Sequence, residues 1–299
     1  LKKRLITTGI GVPLVLLVMA AYATPVFDIV MLAALLIGYY EAYAAYGQKK
    51  TLGLMIAVSL VSAAALLGTA WGVTGFDTLQ GREFCLLVAL ALLIVALIVT
   101  VLRHFQQLDI AKTAGMLLMC GMLFSCIYAV ALLKAKLPFE KYGYLGVFFL
   151  VLSLSYAWGG DGLALIFGKS FGKRKLCPTI SPNKTVAGAF GAPVGSILFG
   201  LLFLWLYVTL MPVLQPHALL NVPGWVWFAA VAAAIPASVI GMIGDLYFSC
   251  VKRQVGIKDY GWLFPGQGGI FDRFDSVIPI VAFVTACVCG WLYFCTPAL

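Results

Sequence analysis

VAGAFGAPVGSILFGLLFLWLYVTL, from Val186 to Leu210, contains no charged residue. It is longer than the ~20 residues that an α-helix needs to cross the hydrocarbon of a bilayer. Similar apolar runs recur along the chain, which is 63% hydrophobic and 10% charged with a mean hydropathy of +1.05. A soluble domain carries about 25% charged residues, so the sequence reads as an all-α integral membrane protein. About nine spans are expected, near residues 5–22, 27–46, 52–71, 84–102, 111–133, 144–167, 186–210, 226–250 and 274–293. Pro13, Gly9, Gly11 and the apolar run that follows favour a retained first helix over a signal peptide. The loops are too short for a separate soluble domain.

Loop charge sets the orientation. With the N-terminus in the cytoplasm, 16 of the 20 Lys and Arg residues fall inside, and Arg82, Lys134, Lys136 and Lys141 remain outside. The net charge of +9 is then concentrated on one face, beside both charged loops. Attraction to anionic lipid accounts for Lys2, Lys3 and Arg4. It does not account for the acids. The eight cysteines lie mostly in apolar runs without zinc spacing and read as small apolar residues. His104 and His217 are too far apart in sequence to suggest a histidine metal site.

Residues 249–276, SCVKRQVGIKDYGWLFPGQGGIFDRFDS, gather Lys252, Arg253, Lys258, Arg273, Asp259, Asp272 and Asp275, with Asp245 just upstream. Ionisable groups at a membrane are costly to desolvate and usually mark function. Asp245, Ser249 and Lys252 share one helical face by their spacing. The Pro265-Gly266-Gln267-Gly268-Gly269 turn is expected to expose backbone N–H groups to a phosphate. Asp272 and Asp275, at i and i+3, suit a hard cation such as magnesium that also binds substrate phosphates. Upstream, Asp161 lies in an apolar helix among Gly159, Gly160 and Gly162 and should face protein interior, water or a cation. Lys169, Lys173, Arg174, Lys175 and Lys184 follow with no acid between them, a pattern suited to a polyphosphate or an anionic head group. Gly168-Lys169-Ser170 is not the end of a P-loop, because that motif needs glycine where Leu163 stands.

These two segments resemble the phosphatidate cytidylyltransferases (CDP-diacylglycerol synthases). That family's S-x-x-K-R, K-D, P-G-H-G-G and D-R-x-D-S signature is matched by Ser249…Lys252-Arg253, Lys258-Asp259, residues 265–269 and Asp272-Arg273-Phe274-Asp275-Ser276. Its other hallmark is matched by Asp161, Phe171-Gly172-Lys173-Arg174-Lys175-Leu176 and Ser181-Pro182-Asn183-Lys184-Thr185. Three positions depart: Ala187 and Phe248 stand where members commonly carry Glu, and Gln267 replaces a histidine.

The resemblance implies transfer of a cytidylyl group from CTP to phosphatidic acid, with release of pyrophosphate, by a multi-pass plasma-membrane enzyme. Residues 1–140 would be N-terminal helices and residues 141–299 the catalytic region, working at the cytoplasmic side. Asp245, Asp272 and Asp275 are the expected magnesium ligands, with a second cation left open. Catalytic weight is expected on Asp272, Asp245, Lys252 and Arg253. Lys173, Lys184, Ser249, Lys258, Gly268 and Gly269 would bind phosphate, and Asp161 and Gln267 would complete the polar cavity. Nucleic acid is not expected as a partner. A homodimer is left open, since small-xxx-small patterns are too common in membrane helices to argue one. Competing expectations are a cytidylyltransferase for an isoprenoid ether lipid, a transporter using Asp28, Glu41 and Asp161, and a silent scaffold.

Overall fold

The apolar runs become helices. The computed structural model describes residues 17–47, 49–71, 93–104, 106–214, 224–264 and 266–295, with 13, 15 and 91 as isolated positions. Among these residues, six helices are long and apolar enough to cross a membrane, and Leu93–Arg103 and Val277–Tyr293 are shorter apolar helices. The chain is an all-α integral membrane protein, with one small hairpin where the sequence suggested only loop. The expected span at 5–22 and the start of that at 84–102 lie largely outside the described residues. So do Lys2, Lys3, Arg4, Arg82, Cys85, His217 and Pro265.

The chain divides into two units, residues 1–135 with 257–273 and residues 136–256 with 274–299. In the first, α1 (Pro25–Tyr46), α2 (Leu52–Ala70) and α3 (Ile110–Lys136) carry most of the structure. Pro25 opens α1, where a missing N–H costs nothing, and Gly47 closes it at φ 64°. The Tyr39 hydroxyl meets Ser62 Oγ at 2.8 Å and ties α1 to α2. Lys134 Nζ on α3 donates to both oxygens of Asp28 at 2.8 Å and to the Thr24 carbonyl at 3.2 Å.

Lys134, one of the four basic residues assigned to the outside, is thus the partner of Asp28, which is 4% exposed. Removing one member of a buried pair leaves an uncompensated charge, at a cost of roughly 3–5 kcal/mol. Lys134→Met is expected to lower the melting temperature of the detergent-purified protein clearly, and Asp28→Asn in the same chain to recover most of the loss. Equal melting of Lys134→Met and wild type would show that the pair contributes nothing.

The second unit holds α4 (Phe139–Tyr142), α5 (Leu145–Phe171), the hairpin β1 (Lys175–Cys177) and β2 (Ser181–Thr185), α6 (Val186–Leu214), α7 (Trp225–Val255) and α9 (Val277–Cys295). The short α8 (Ile270–Phe274) precedes α9. The strands pair antiparallel, Lys175 with Thr185 and Cys177 with Ser181, with a register irregularity between. The helices α5 and α6 pack so closely that a Cβ on Gly195 would meet the Gly159 carbonyl oxygen. Ser196 Oγ donates to the Tyr156 carbonyl at 2.7 Å, and the Tyr156 hydroxyl donates to the Ala230 carbonyl at 2.8 Å. Three long helices are thereby linked through one tyrosine. Two of the three glycines around Asp161 therefore serve helix approach: Gly159 faces Gly195 and Phe199, and Gly160 faces Ser196.

Candidate active site

A membrane-spanning helix rarely carries acids, yet α5 carries Asp161 and α7 carries Asp245. Both line a cavity of about 640 Å³ in the second unit, with Ser276, Asn183, Lys169, Lys175 and Lys184 among the other lining residues. This volume lies within the usual range for small-molecule pockets, ~300–1,000 Å³. The hairpin delivers Lys175 and Lys184, and α5 delivers Lys169. Lys184, on β2, reaches Asp245 Oδ2 at 2.6 Å with both side chains 24% exposed. Ser249 Oγ, one helical turn after Asp245, donates to Asp245 Oδ1 at 3.3 Å, so the i, i+4 spacing meets as expected. Arg253 Nε reaches the Ile180 carbonyl at 3.4 Å at the exposed end of α7.

The chain re-enters this unit at Phe274. Ser276, 3% exposed, donates from Oγ to Asp161 Oδ2 at 2.9 Å, and its N–H donates to Asp275 Oδ1 at 2.8 Å. Burial, and then the neighbouring Asp245 and Asp161 carboxylates, hold the Asp275 carboxyl well above the usual carboxylate range. The Ser276 N–H and the Lys252 charge pull the other way without cancelling the rise. Asp161, Asp245 and Asp275 therefore lie close enough to repel one another, and the first two line the cavity with Lys169, Lys175 and Lys184. Such repulsion favours a divalent cation. Among the described residues, no group of three or more acid, His or Cys side chains is disposed to hold a metal. Magnesium needs only one or two carboxylates when waters and substrate phosphates complete its shell, so the Asp245 and Asp275 donor set fits it.

Asp272 belongs to the first unit. Its Oδ2 accepts the Tyr260 N–H at 2.7 Å and the Gly269 N–H at 2.9 Å. The Gly turn also closes on itself: Gln267 and Gly268 donate their N–H groups to the Phe264 carbonyl at 2.8 and 3.1 Å. The Gly268 and Gly269 N–H groups, expected to bind phosphate, have the Phe264 carbonyl and the Asp272 carboxylate as acceptors here. Gly268, at φ 90°, is needed for conformation, and a Cβ there would also strike the Asp272 carboxylate. The Gln267 carbonyl accepts Arg273 Nε at 2.8 Å. Lys258 is exposed in the first unit, and Lys173 is exposed in the second and absent from the cavity lining.

Lys169, Lys175, Asn183 and Ser276 were not singled out from sequence as cavity residues. The acid-free basic run contains the first two, but only the end of α5 and the hairpin decide which of its cations line the cavity. Phe248, which departs from the family pattern, is fully buried. Of the acids that suggested transport, Asp28 is spent on Lys134 and Glu41 on backbone amides.

Comparison with known proteins agrees with the signature. Residues 2–290 match the sequence profile of the cytidylyltransferase family. The chain belongs to that family. It is similar to the phosphatidate cytidylyltransferase of Staphylococcus epidermidis, 39% identical over 139 residues, which cover 46% of this chain and 48% of the relative. It is 32% identical to the Bacillus subtilis protein of the same name over 208 residues, covering 70% of this chain and 68% of the relative. The Staphylococcus aureus protein of that name is 36% identical over 139 residues, again 46% of this chain and 48% of the relative. The match thus spans about half the length of the staphylococcal cytidylyltransferases.

Proposed function

We propose that this cytidylyltransferase transfers the cytidylyl group of CTP to phosphatidic acid, giving CDP-diacylglycerol and pyrophosphate. The observation that carries the reading is the 640 Å³ cavity, in which Asp161 and Asp245 face Lys169, Lys175 and Lys184. The names of the relatives supply the nucleotide and the lipid. The loop-charge asymmetry supports an orientation with the N-terminus and the catalytic groups on the cytoplasmic side of the plasma membrane, where CTP is available.

In this reading a phosphate oxygen of the lipid attacks the α-phosphorus of CTP. The bond from that phosphorus to the bridging oxygen of the β-phosphate breaks, and pyrophosphate leaves. Both reactants are anions, so the protein's main work is alignment and charge cancellation. Lys169, Lys175 and Lys184 neutralise phosphate oxygens, with Lys184 exchanging Asp245 for substrate. Asp245 and Asp275 would hold magnesium, which would supply charge stabilisation at the triphosphate. Ser249 orients Asp245, and Ser276 orients Asp161. No strong base is required, because a phosphate monoester is largely ionised at neutral pH. Gln267 in place of histidine is therefore compatible with turnover. Asp272, carried by the same signature, is proposed to be essential to turnover as well.

The test is pyrophosphate release by the detergent-purified protein. Release that requires CTP, phosphatidic acid and magnesium together supports the reading. Binding of CTP without release points to another lipid acceptor, and absence of CTP binding overturns it.

The metal pair also makes a pH prediction. With its carboxyl raised in the native state, Asp275 binds a proton more tightly when folded than when unfolded. Its contribution therefore lowers stability as pH rises from about 4, the ordinary carboxylate value, toward the raised native value. Magnesium favours the ionised form and opposes that loss. The melting-temperature gain on adding magnesium is expected to be larger at about pH 8 than at about pH 5.5. An equal gain at both would remove Asp275 from the metal site.

A further inference from the structure

Glu41 lies outside both signature segments, on α1, and is 4% exposed. Its Oε1 accepts the Ile270 N–H at 3.0 Å and its Oε2 accepts the Phe271 N–H at 3.3 Å. Cβ atoms on Gly261 or Gly269 would run into the Glu41 carboxylate, so two glycines of the signature segment leave the space it fills. The same stretch is held by Asp272, whose Oδ2 takes Tyr260 N–H and Gly269 N–H. Every amide from Gly269 to Phe271 thus donates to one of two carboxylates.

A five-residue helix cannot hold its own start, because helix nucleation is unfavourable and its first amides lack intrahelical acceptors. A buried carboxylate without donors is costly in turn. Each therefore needs the other, and charge-assisted bonds are roughly twice as strong as neutral ones.

We infer that Glu41 is a positioning residue: it fixes the backbone of residues 269–272 and thereby the orientation of Asp272. The inference rests on the reading above, in which Asp272 serves cytidylyl transfer. Glu41 acts through the Ile270 and Phe271 amides it accepts.

Hydrogen–deuterium exchange and steady-state kinetics on the full chain in detergent test it, using Glu41→Ala and the milder Glu41→Gln. In Glu41→Ala, exchange at Ile270 and Phe271 is expected to accelerate about tenfold or more, as for loss of one net hydrogen bond. The kcat is expected to fall about 100-fold, the scale of a displaced catalytic group, with the KM for CTP nearly unchanged. Glu41→Gln keeps one acceptor and should recover part of both. Unchanged exchange at 270–271 overturns the inference. So does a lowered melting temperature with unaltered kcat of the folded fraction, which is a purely structural role. Faster exchange in Glu41→Ala, with a wild type that releases no pyrophosphate, would leave the clamp standing and sink the cytidylyl-transfer reading instead.

Discussion

Replacing Asp245 by asparagine is expected to lower kcat about 1,000-fold or more, because metal stabilisation of developing charge is worth several kcal/mol and each ~1.4 kcal/mol is tenfold. Asp245 is the acid on which the cavity's contacts converge: Lys184 meets one oxygen and Ser249 the other. The substitution keeps the size of the side chain and removes its charge. Lys184 then loses its carboxylate partner and becomes a more available phosphate ligand. CTP binding is therefore expected to survive while turnover and the magnesium-induced rise in melting temperature are lost. That split distinguishes a metal ligand from a structural salt bridge. A variant that turns over at the wild-type rate would take Asp245 out of the site. One that loses CTP binding as well as folding would make the ion pair structural.

Gly195→Ala is expected to be among the most damaging single-methyl changes in the second unit. The added carbon has nowhere to go, because the atom it meets is the backbone carbonyl oxygen of Gly159 on α5. A side chain could rotate away; a helix backbone must be displaced. Overpacking of this kind costs about 1–3 kcal/mol. It would also separate α5 from α6, which both line the cavity through Asp161, Gly188 and Ala192. A lower melting temperature and a greatly reduced turnover are expected together. Gly162→Ala is the control. It is also a helical glycine beside Asp161, but nothing lies within 4 Å of an added Cβ. Helix propensity favours alanine there by up to ~1 kcal/mol, so this variant should melt no lower than wild type. Equal behaviour of the two variants would contradict the close approach of α5 and α6.

The acid-bearing helices, the basic run and the family were legible in the sequence, because each depends on short-range patterns of charge, spacing and apolar length. Asp245 with Ser249 is an example: the i, i+4 rule alone brings them together. Other features were not legible. Lys134 was only an exception to the loop-charge rule until its contact with Asp28 appeared. The Gly268 and Gly269 N–H groups were expected to face a phosphate, yet Phe264 and Asp272 accept them.

What the sequence determined by itself is a membrane-embedded helical protein of the cytidylyltransferase family with its charged groups gathered in two polar segments. Apolar length and charge cost are local properties, and a gapped signature is read residue by residue. What only the tertiary structure decided is which groups share a cavity and which are spent on holding the fold. Lys184 meets Asp245, and Ser276 meets Asp161, across 61 and 115 residues of chain (245 − 184 and 276 − 161). Glu41 meets Ile270 across 229. Over such separations no periodicity constrains a contact. Helix packing places these pairs, and the cost of leaving a buried charge or amide unpartnered selects which groups end up facing one another.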